Sequence, residues 1–465
     1  MTLLTVTGGG RARAADRGDS ASEITVALRY QRPIEDGFEL LTKEETWDAA
    51  ATAIIVCDMW DLHHSRNAVE RAAEFAPRLD AVLADARGRG VTIIHAPSDC
   101  MDFYAGHPAR QRAMAVPTAN TAPPGVDQWC LQVPSEASAA YPIDQFDGGE
   151  DDSPDRLAEW AAHLESLGRN PRAPWKKQTD SLTIDPERDF VSSHGDEIWN
   201  ILEANGIDNV VLTGVHLNMC VMGRPFGLRQ MVRGGKNVAL IRDLTDTMYN
   251  PASWPHVDHF TGTDLMVAYV ERTICPTFTS DQWIGGRPFR FRDDTRSDAA
   301  ILSALTRPVP PRDHRRQWGQ VSLPPGPDDP LVAAGDTAWY RCVVRIPEAW
   351  SGLGLHLEIP AAADAWQAWV NGRPLTATRQ DGSVRFAVGS DAIEFGTGNL
   401  LVIRSSDGTR PEAAPTLIAG GERLPLAGTW QFRTGKGGQG LETLSLPAQF
   451  AAPADIIFQP AADVR

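Results

Sequence analysis

Between residues 48 and 285 the apolar positions follow two rhythms. Short unbroken runs at 53–58 (AIIVCD), 91–95, 210–213, 237–241 and 277–279 have the length and β-branched content of strands buried on both faces. Between them lie longer stretches with apolar residues at helical spacing. The first covers 67–87 (Val69, Ala72, Ala73, Phe75, Leu79, Val82, Leu83) and stops at Gly88-Arg89-Gly90; others cover 195–204, 225–232 and 258–273. Strand, helix, strand at this spacing is a βαβ unit, hence a parallel sheet with right-handed crossovers. With Trp175-Lys176-Lys177 read as a further strand end, the pattern predicts a doubly wound, six-stranded parallel α/β domain over 48–285. Residues 97–172 break the rhythm: they are rich in Pro, Ala, Gly and acid, with one helix at 154–167. So long an excursion reads as a lid or a partner-contact loop. Residues 1–47 read as an irregular N-terminal extension with an edge strand at 24–30.

Beyond residue 300 the helical spacing disappears. Short alternating runs at 339–346, 354–359, 365–370, 400–404 and 429–433, with turn signals Asn371-Gly372 and Asp407-Gly408, predict an all-β jelly-roll sandwich over 331–465. The basic, Pro-rich 286–330 reads as linker and first strand.

The 465-residue length fits two or three domains. No apolar run approaches the ~18 residues of a membrane span, so a soluble chain is expected. Lys plus Arg number 44 against 60 Asp plus Glu, a net charge of -16, which argues against a nucleic-acid or anionic-membrane partner and for a small molecule or neutral polymer. Cys57, Cys100, Cys130, Cys220, Cys275 and Cys342 show no C-x-x-C spacing and read as free thiols. Ala12-Arg13-Ala14 before Ala15-Asp16 resembles a small-residue cleavage site, favouring export with a clipped signal peptide over a cytoplasmic chain with a disordered tail.

In open α/β sheets a ligand sits beyond the carboxyl ends of the strands. Three such ends carry Asp58, the Lys176-Lys177 pair and Cys220. Cys220 falls after the Gly214 bend at a predicted helix start, where unpaired N–H groups favour a thiolate; its alternative is a small buried apolar residue. A carboxylate can take the thiol proton and return it to a leaving amine, and a lysine keeps that carboxylate ionised. Singly, a strand-end Asp is often a cap and a lysine a solvated surface group; together they point to a site.

The set of an apolar strand ending in Asp58, a lysine followed by Ser181, and Thr213-Gly214-Val215-x4-Cys220-Val221 resembles the isochorismatase-like cysteine hydrolases, which include nicotinamidases and N-carbamoylsarcosine amidohydrolases. The resemblance covers 48–285. It implies hydrolysis of an amide or ureido C–N bond in a small molecule through a thioester on Cys220, with Asp58 as general base and acid and a lysine completing the triad. No cofactor is required. It also implies a cis Val215–His216 peptide and an oxyanion hole from the N–H groups of His216 and Cys220. Lys177 has the family spacing to Ser181 and Lys176 to Leu182, so both stay candidates. Arg224 and Pro225 depart from the family, which has small or hydroxyl residues there. Arg224 either reaches the pocket and pairs with a substrate carboxylate or forms a surface salt bridge. Trp60, His63 and His95 join Arg224 as expected substrate contacts.

Nicotinamidases hold a divalent ion with one Asp and two His. Here His63, His64, His95 and Asp99 would be the ligands of zinc or a similar ion, although their spacing does not reproduce the motif; otherwise they shape the pocket. His256 and His259, three apart on a predicted helix, read as a solvated face rather than an ion site.

The β region resembles the galactose-binding-type jelly roll beside family 2 glycoside hydrolase domains, through Trp339-Tyr340-Arg341, Ile346-Pro347-x-x-Trp350, Ala368-Trp369-Val370-Asn371-Gly372 and Asn399-x-x-Val402-x-Arg404. Its tryptophans are expected mainly in the core, with docking the first role and carbohydrate contact the second. A homo-oligomer is compatible with this plan. The rival to an amidohydrolase is a non-catalytic carbohydrate-binding or scaffold protein; the presence of nucleophile, base and lysine types counts against it.

Overall fold

The computed structural model describes residues 22–136, 139–144, 148–308, 319–324, 337–360, 366–371, 373–380, 382–393, 395, 398–406, 409–411, 413–435 and 457–458. The cleavage-like N-terminal stretch, Gly372 and the Asp407-Gly408 turn lie outside them. The first domain is built on strands β1 (Glu23–Ile34), β2 (Gly37–Asp48), β3 (Thr52–Cys57), β4 (Thr92–Ala96), β5 (Phe190–Val191), β6 (Asn209–Val215), β7 (Asn237–Asp246) and β8 (Thr277–Phe278). They form one sheet in the order β2-β1-β8-β7-β6-β3-β4-β5. β3 to β8 pair in parallel, whereas β1 pairs antiparallel with both β2 and β8.

The sheet is therefore eight-stranded and mixed, not a six-stranded parallel one, and residues 23–48 belong to it as a hairpin. In β1 the residues Ile24, Val26 and Leu28 are buried and alternate with more exposed Glu23, Thr25 and Ala27, the period-two pattern of a strand covered on one face. A second correction falls at the other edge. Residues 175–177 make no strand end; only an isolated bridge joins Trp60 to Gln178, and the outer strand is β5.

Helices α1 (Arg66–Arg89), α2 (Pro108–Met114), α3 (Pro154–Ser166), α4 (Gly195–Ala204), α5 (Leu228–Arg233), α6 (His259–Thr273), α7 (Asp281–Ile284) and α8 (Asp298–Thr306) complete the domain. Ser65 caps α1 by accepting from the Ala68 N–H at 3.2 Å, and Gly90 ends it with φ +93°, where a side chain would be strained. One face of the sheet packs Ile54 and Val56 against Phe75, Leu79, Val82 and Leu83 of α1. The other packs Ile55 and Leu212 against Ile198 and Leu202 of α4 and Met266 and Val270 of α6. Burying each such side chain contributes about 1.5–3 kcal/mol.

The excursion after β4 is pinned at several points. Arg229 of α5 clasps the Glu136 carboxylate with a shortest contact of 2.7 Å, and the Tyr269 hydroxyl and Val133 N–H donate to the same group at 3.0 and 2.8 Å. Arg71 bridges Asp151 at 2.8 Å and Asp246 at 2.6 Å, while His259 holds Asp246 at 2.8 Å. Asp152 accepts from the Ser65 hydroxyl at 2.7 Å.

Residues 286–308 are not free linker. Arg296 pairs with Asp264 at 2.8 Å, Phe291 stacks on Phe260 at 5.3 Å, and Arg272 donates to the carbonyl of Leu305, which is buried. Among the described residues the second domain consists of a seven-stranded and a five-stranded antiparallel sheet, apart from one short parallel pairing at 457–458. They share a core of Tyr340, Trp350, Trp366, Phe386, Trp430 and Phe432, so these tryptophans fill space between sheets. Gln431 donates to Asp144 of the excursion at 3.3 Å, a contact between the domains.

Candidate active site at the carboxyl end of the sheet

Parallel pairing of β3 with β6 sets Cys57 opposite Gly214. One step further along both strands lie Asp58 and the turn that carries Cys220. A Cβ on Gly214 would stand 2.1 Å from the Cys57 carbonyl oxygen, and its φ is +102°, so only glycine lets the strands approach in this way. After β6 comes a cis Val215–His216 peptide, and then a π-helical turn, Leu217–Val221, that holds Cys220. Single π turns recur at functional sites because they swing one side chain out of helical register.

Asp58 is fully buried with φ +45°. Its Oδ1 accepts from the Ser98 N–H at 2.7 Å and its Oδ2 from Arg224 Nε at 3.2 Å. Arg224 lies four residues beyond Cys220, its N–H donating to the Cys220 carbonyl at 3.0 Å, so its side chain returns over the nucleophile turn. The guanidinium covers the Trp129 ring at 4.9 Å and approaches Asp99 at 3.7 Å.

Burial raises the pKa of the Asp58 carboxyl, while Arg224 and the Ser98 amide pull it back down. Burial also raises the Cys220 thiol strongly; the Asp58 charge adds to the rise and Arg224 opposes it. Burial of the sulfur thus opposes the thiolate expected at a helix start, and Asp58 and Arg224 pull the thiol in opposite directions.

The structure brings Asp58, Cys220 and Arg224 together and leaves both lysines out. Lys177 Nζ is held by both oxygens of Asp180 at 2.6 Å, and Lys176 is exposed. Only their backbone N–H groups turn inward, towards Asp61 Oδ1 at 3.0 and 3.4 Å. The inward side chain on that segment is Gln178.

Trp60 stacks on Trp175 at 4.4 Å, and His63 stacks 6.0 Å from each. His63 stands 4.0 Å from His64 and 5.0 Å from His216. Burial depresses all three imidazoles: His63 well below its ordinary value, His64 to about 4 and His216 to about 3. Both ring nitrogens of His64 and Nε2 of His216 are buried with no hydrogen-bond partner among the described residues. This is a wall of indoles and neutral imidazoles beside the nucleophile turn.

His95 is not part of it. Its ring nitrogens meet Gln178 and Asp189, each at 3.0 Å, and Asp189 is itself clasped by Arg87 at 2.7 Å. The expected metal set therefore does not assemble: His95 is spent on its neighbours and Asp99 is 61% exposed and turned to Arg224. Among the described residues no group of three His, Cys, Asp or Glu side chains could hold an ion. His256 is exposed and precedes α6, whereas His259 is buried on Asp246, so these two share no face.

Sequence reasoning missed Trp129, Trp175 and the Ser98 amide. A Cβ at Gly223 would lie 2.7 Å from the Trp129 ring, so glycine three residues after Cys220 was the one local sign that something packs there.

No family model matches the chain, and no curated protein does. Among solved structures it is similar to a cysteine hydrolase from Pseudomonas syringae pv. phaseolicola 1448A, with 14% identity, 56% of this chain and 95% of that chain covered, and a TM-score of 0.31. It is also similar to an isochorismatase family protein from Desulfovibrio vulgaris subsp. vulgaris str. Hildenborough, at 16% identity over 43% of this chain and 83% of that one, TM-score 0.24. A β-D-glucuronidase from Dictyoglomus thermophilum matches at 16% identity over 25% of this chain and 26% of that one, TM-score 0.15. At this distance the chemistry has to be read from the side chains themselves.

Proposed function

We propose that the chain is a cysteine hydrolase that cleaves the C–N bond of a small amide or ureide. The observation that supports this most is the pairing of Cys220 with a buried carboxylate, Asp58, across the ends of two adjacent parallel strands. A carboxyl raised above its ordinary range next to a thiol raised above its own is a pair suited to exchanging one proton.

In the reaction Cys220 Sγ attacks the substrate carbonyl carbon, forming the C–S bond as the carbonyl π pair moves to oxygen, and its proton passes to Asp58. The N–H groups of His216 and Cys220 receive the oxyanion. Collapse breaks the C–N bond, and Asp58 gives the proton to the departing amine. Water then attacks the thioester with Asp58 taking its proton, and the C–S bond breaks to return the thiol. A neutral aromatic wall of Trp60, Trp175 and His63 suits a planar, uncharged amide head. The test is ammonia release from a panel of small primary amides and ureido acids, with mass spectrometry of the Cys220 peptide after rapid quenching. An acyl adduct on that peptide, lost together with turnover in Cys220→Ala, is expected; undiminished ammonia release by Cys220→Ala would sink the reading.

A further inference from the structure

We infer that Arg224, and not a lysine, is the positioning cation that holds the Asp58–Cys220 pair in its working charge state. The inference rests on the cysteine-hydrolase reading of the site but concerns a different residue. Three observations carry it. First, Arg224 is the cation in contact with Asp58, its Nε at 3.2 Å from Oδ2, and it leaves Oδ1 to the Ser98 amide. Second, the guanidinium is itself fixed: its side chain is 17% exposed, its Cζ lies over the Trp129 ring at 4.9 Å, and Asp99 stands 3.7 Å from Nη2. Third, the lysine at the right spacing for this task is engaged elsewhere, its ammonium on Asp180.

The charges that face the pair are few. Asp58, the Cys57 thiol and Arg224 act on Cys220, and Asp99 adds its charge to Arg224. Arg224 is thus a cation placed against two acidic groups, Asp58 and Asp99, and a nucleophile that becomes anionic. Its position four residues after Cys220 ties it to the same turn, so nucleophile and cation move as one piece. An arginine differs from a lysine here in one testable respect. Burial can strip the proton from a lysine, but a guanidinium keeps its charge throughout the working pH range.

The experiment measures the iodoacetamide labelling rate of Cys220 from pH 6 to 11, read by peptide mapping so that the five other thiols do not interfere. Wild type is compared with Arg224→Gln, Arg224→Lys and Lys177→Met. Removing an opposite charge at this range raises the thiol pKa by about 1–3 units. Because a less acidic thiolate is also a better nucleophile, the net slowing is about 3- to 60-fold. Arg224→Gln is expected to slow labelling by that factor while Lys177→Met leaves it unchanged. Arg224→Lys should restore the rate near neutrality and then fall behind wild type as the lysine loses its proton, a limb that the arginine enzyme lacks. The opposite pattern, slowing in Lys177→Met with Arg224→Gln at the wild-type rate, would overturn the inference. So would Arg224→Lys labelling as slowly as Arg224→Gln at every pH, since shape and not charge would then matter. Should Arg224→Gln fail to fold, the lysine variants decide the matter alone. Ammonia release by Cys220→Ala is read separately, so failure of the cysteine-hydrolase reading is not confused with failure of the arginine assignment.

Discussion

Acid should weaken the α/β domain well above the range in which carboxylates titrate, and the cause is the imidazole cluster beside the nucleophile turn. His64 and His216 have folded-state values near 4 and 3, against about 6.5 for an unfolded histidine, and His63 is depressed as well. Desolvation by burial is the leading cause; for His216 the nearby Arg71, His64 and His259 add to it, and Asp246 works against it. When the folded value lies below the unfolded one, the unfolded chain binds protons first. Stability is therefore intact above pH 6.5 and falls as the pH drops towards the folded values. Each histidine costs about 1.4 kcal/mol per pH unit in that window. Between pH 6.5 and 5, His64 and His216 would each remove about 2 kcal/mol, a large share of a domain stability of about 5–15 kcal/mol. The assay is urea unfolding at pH 7.5, 6.5, 5.5 and 5.0 followed by helical circular dichroism, which reports on the α/β domain because the second domain is almost wholly β. Wild type should lose about 4 kcal/mol between about pH 7.5 and pH 5.0, and His64→Gln should recover about one proton's worth of that slope. A His64→Gln curve parallel to wild type would mean that this imidazole is protonated in the native state, and the argument from its burial would be wrong.

Other perturbations test the remaining supports. Glu136→Gln leaves Arg229 buried without its counter-charge and should cost about 3–5 kcal/mol in urea melts, with the Glu136→Gln/Arg229→Leu double variant recovering part of it; a loss under about 1 kcal/mol would show that the excursion is not held there. Gly214→Ala drives a Cβ into the Cys57 carbonyl at 2.1 Å, so soluble yield should collapse, and a soluble, folded variant with normal labelling of Cys220 would contradict the strand spacing. Asp58→Asn should abolish turnover with the circular dichroism spectrum intact, and activity within a few-fold of wild type would remove Asp58 from the mechanism. A chain ending at residue 308 keeps Phe291, Arg296 and α8 and should melt close to the full-length α/β domain, whereas one ending at 290 loses all three and should melt several degrees lower; equal melting temperatures would return 291–308 to the status of linker.

How much of this could be read from the chain depended on how local the determining physics was. The placing of Asp58 and Cys220 near one another was legible because a strand end is a place that hydrophobic periodicity marks, and in a parallel sheet such ends gather on one side. The hairpin of β1 and β2 was half found: Ile24, Val26 and Leu28 carry the alternation, but the exposed face of β2 is so rich in charge that its pattern reads as irregular. The cation was the hardest residue to place, for a reason specific to extended chain. Successive side chains on such a segment point to opposite sides, so spacing to Ser181 or Leu182 cannot say which of Lys176, Lys177 and Gln178 faces in. That choice follows from where the segment docks, and the Trp60–Gln178 bridge docks it with Gln178 inward and the Lys177 ammonium on Asp180. Arg224 sits instead on a helical turn, where four residues bring a side chain back over Cys220 whatever the rest of the chain does. With the Arg224 guanidinium already 3.2 Å from Asp58, a second positive charge on the facing segment would add repulsion to it, which is why the proposed assignment needs no lysine there.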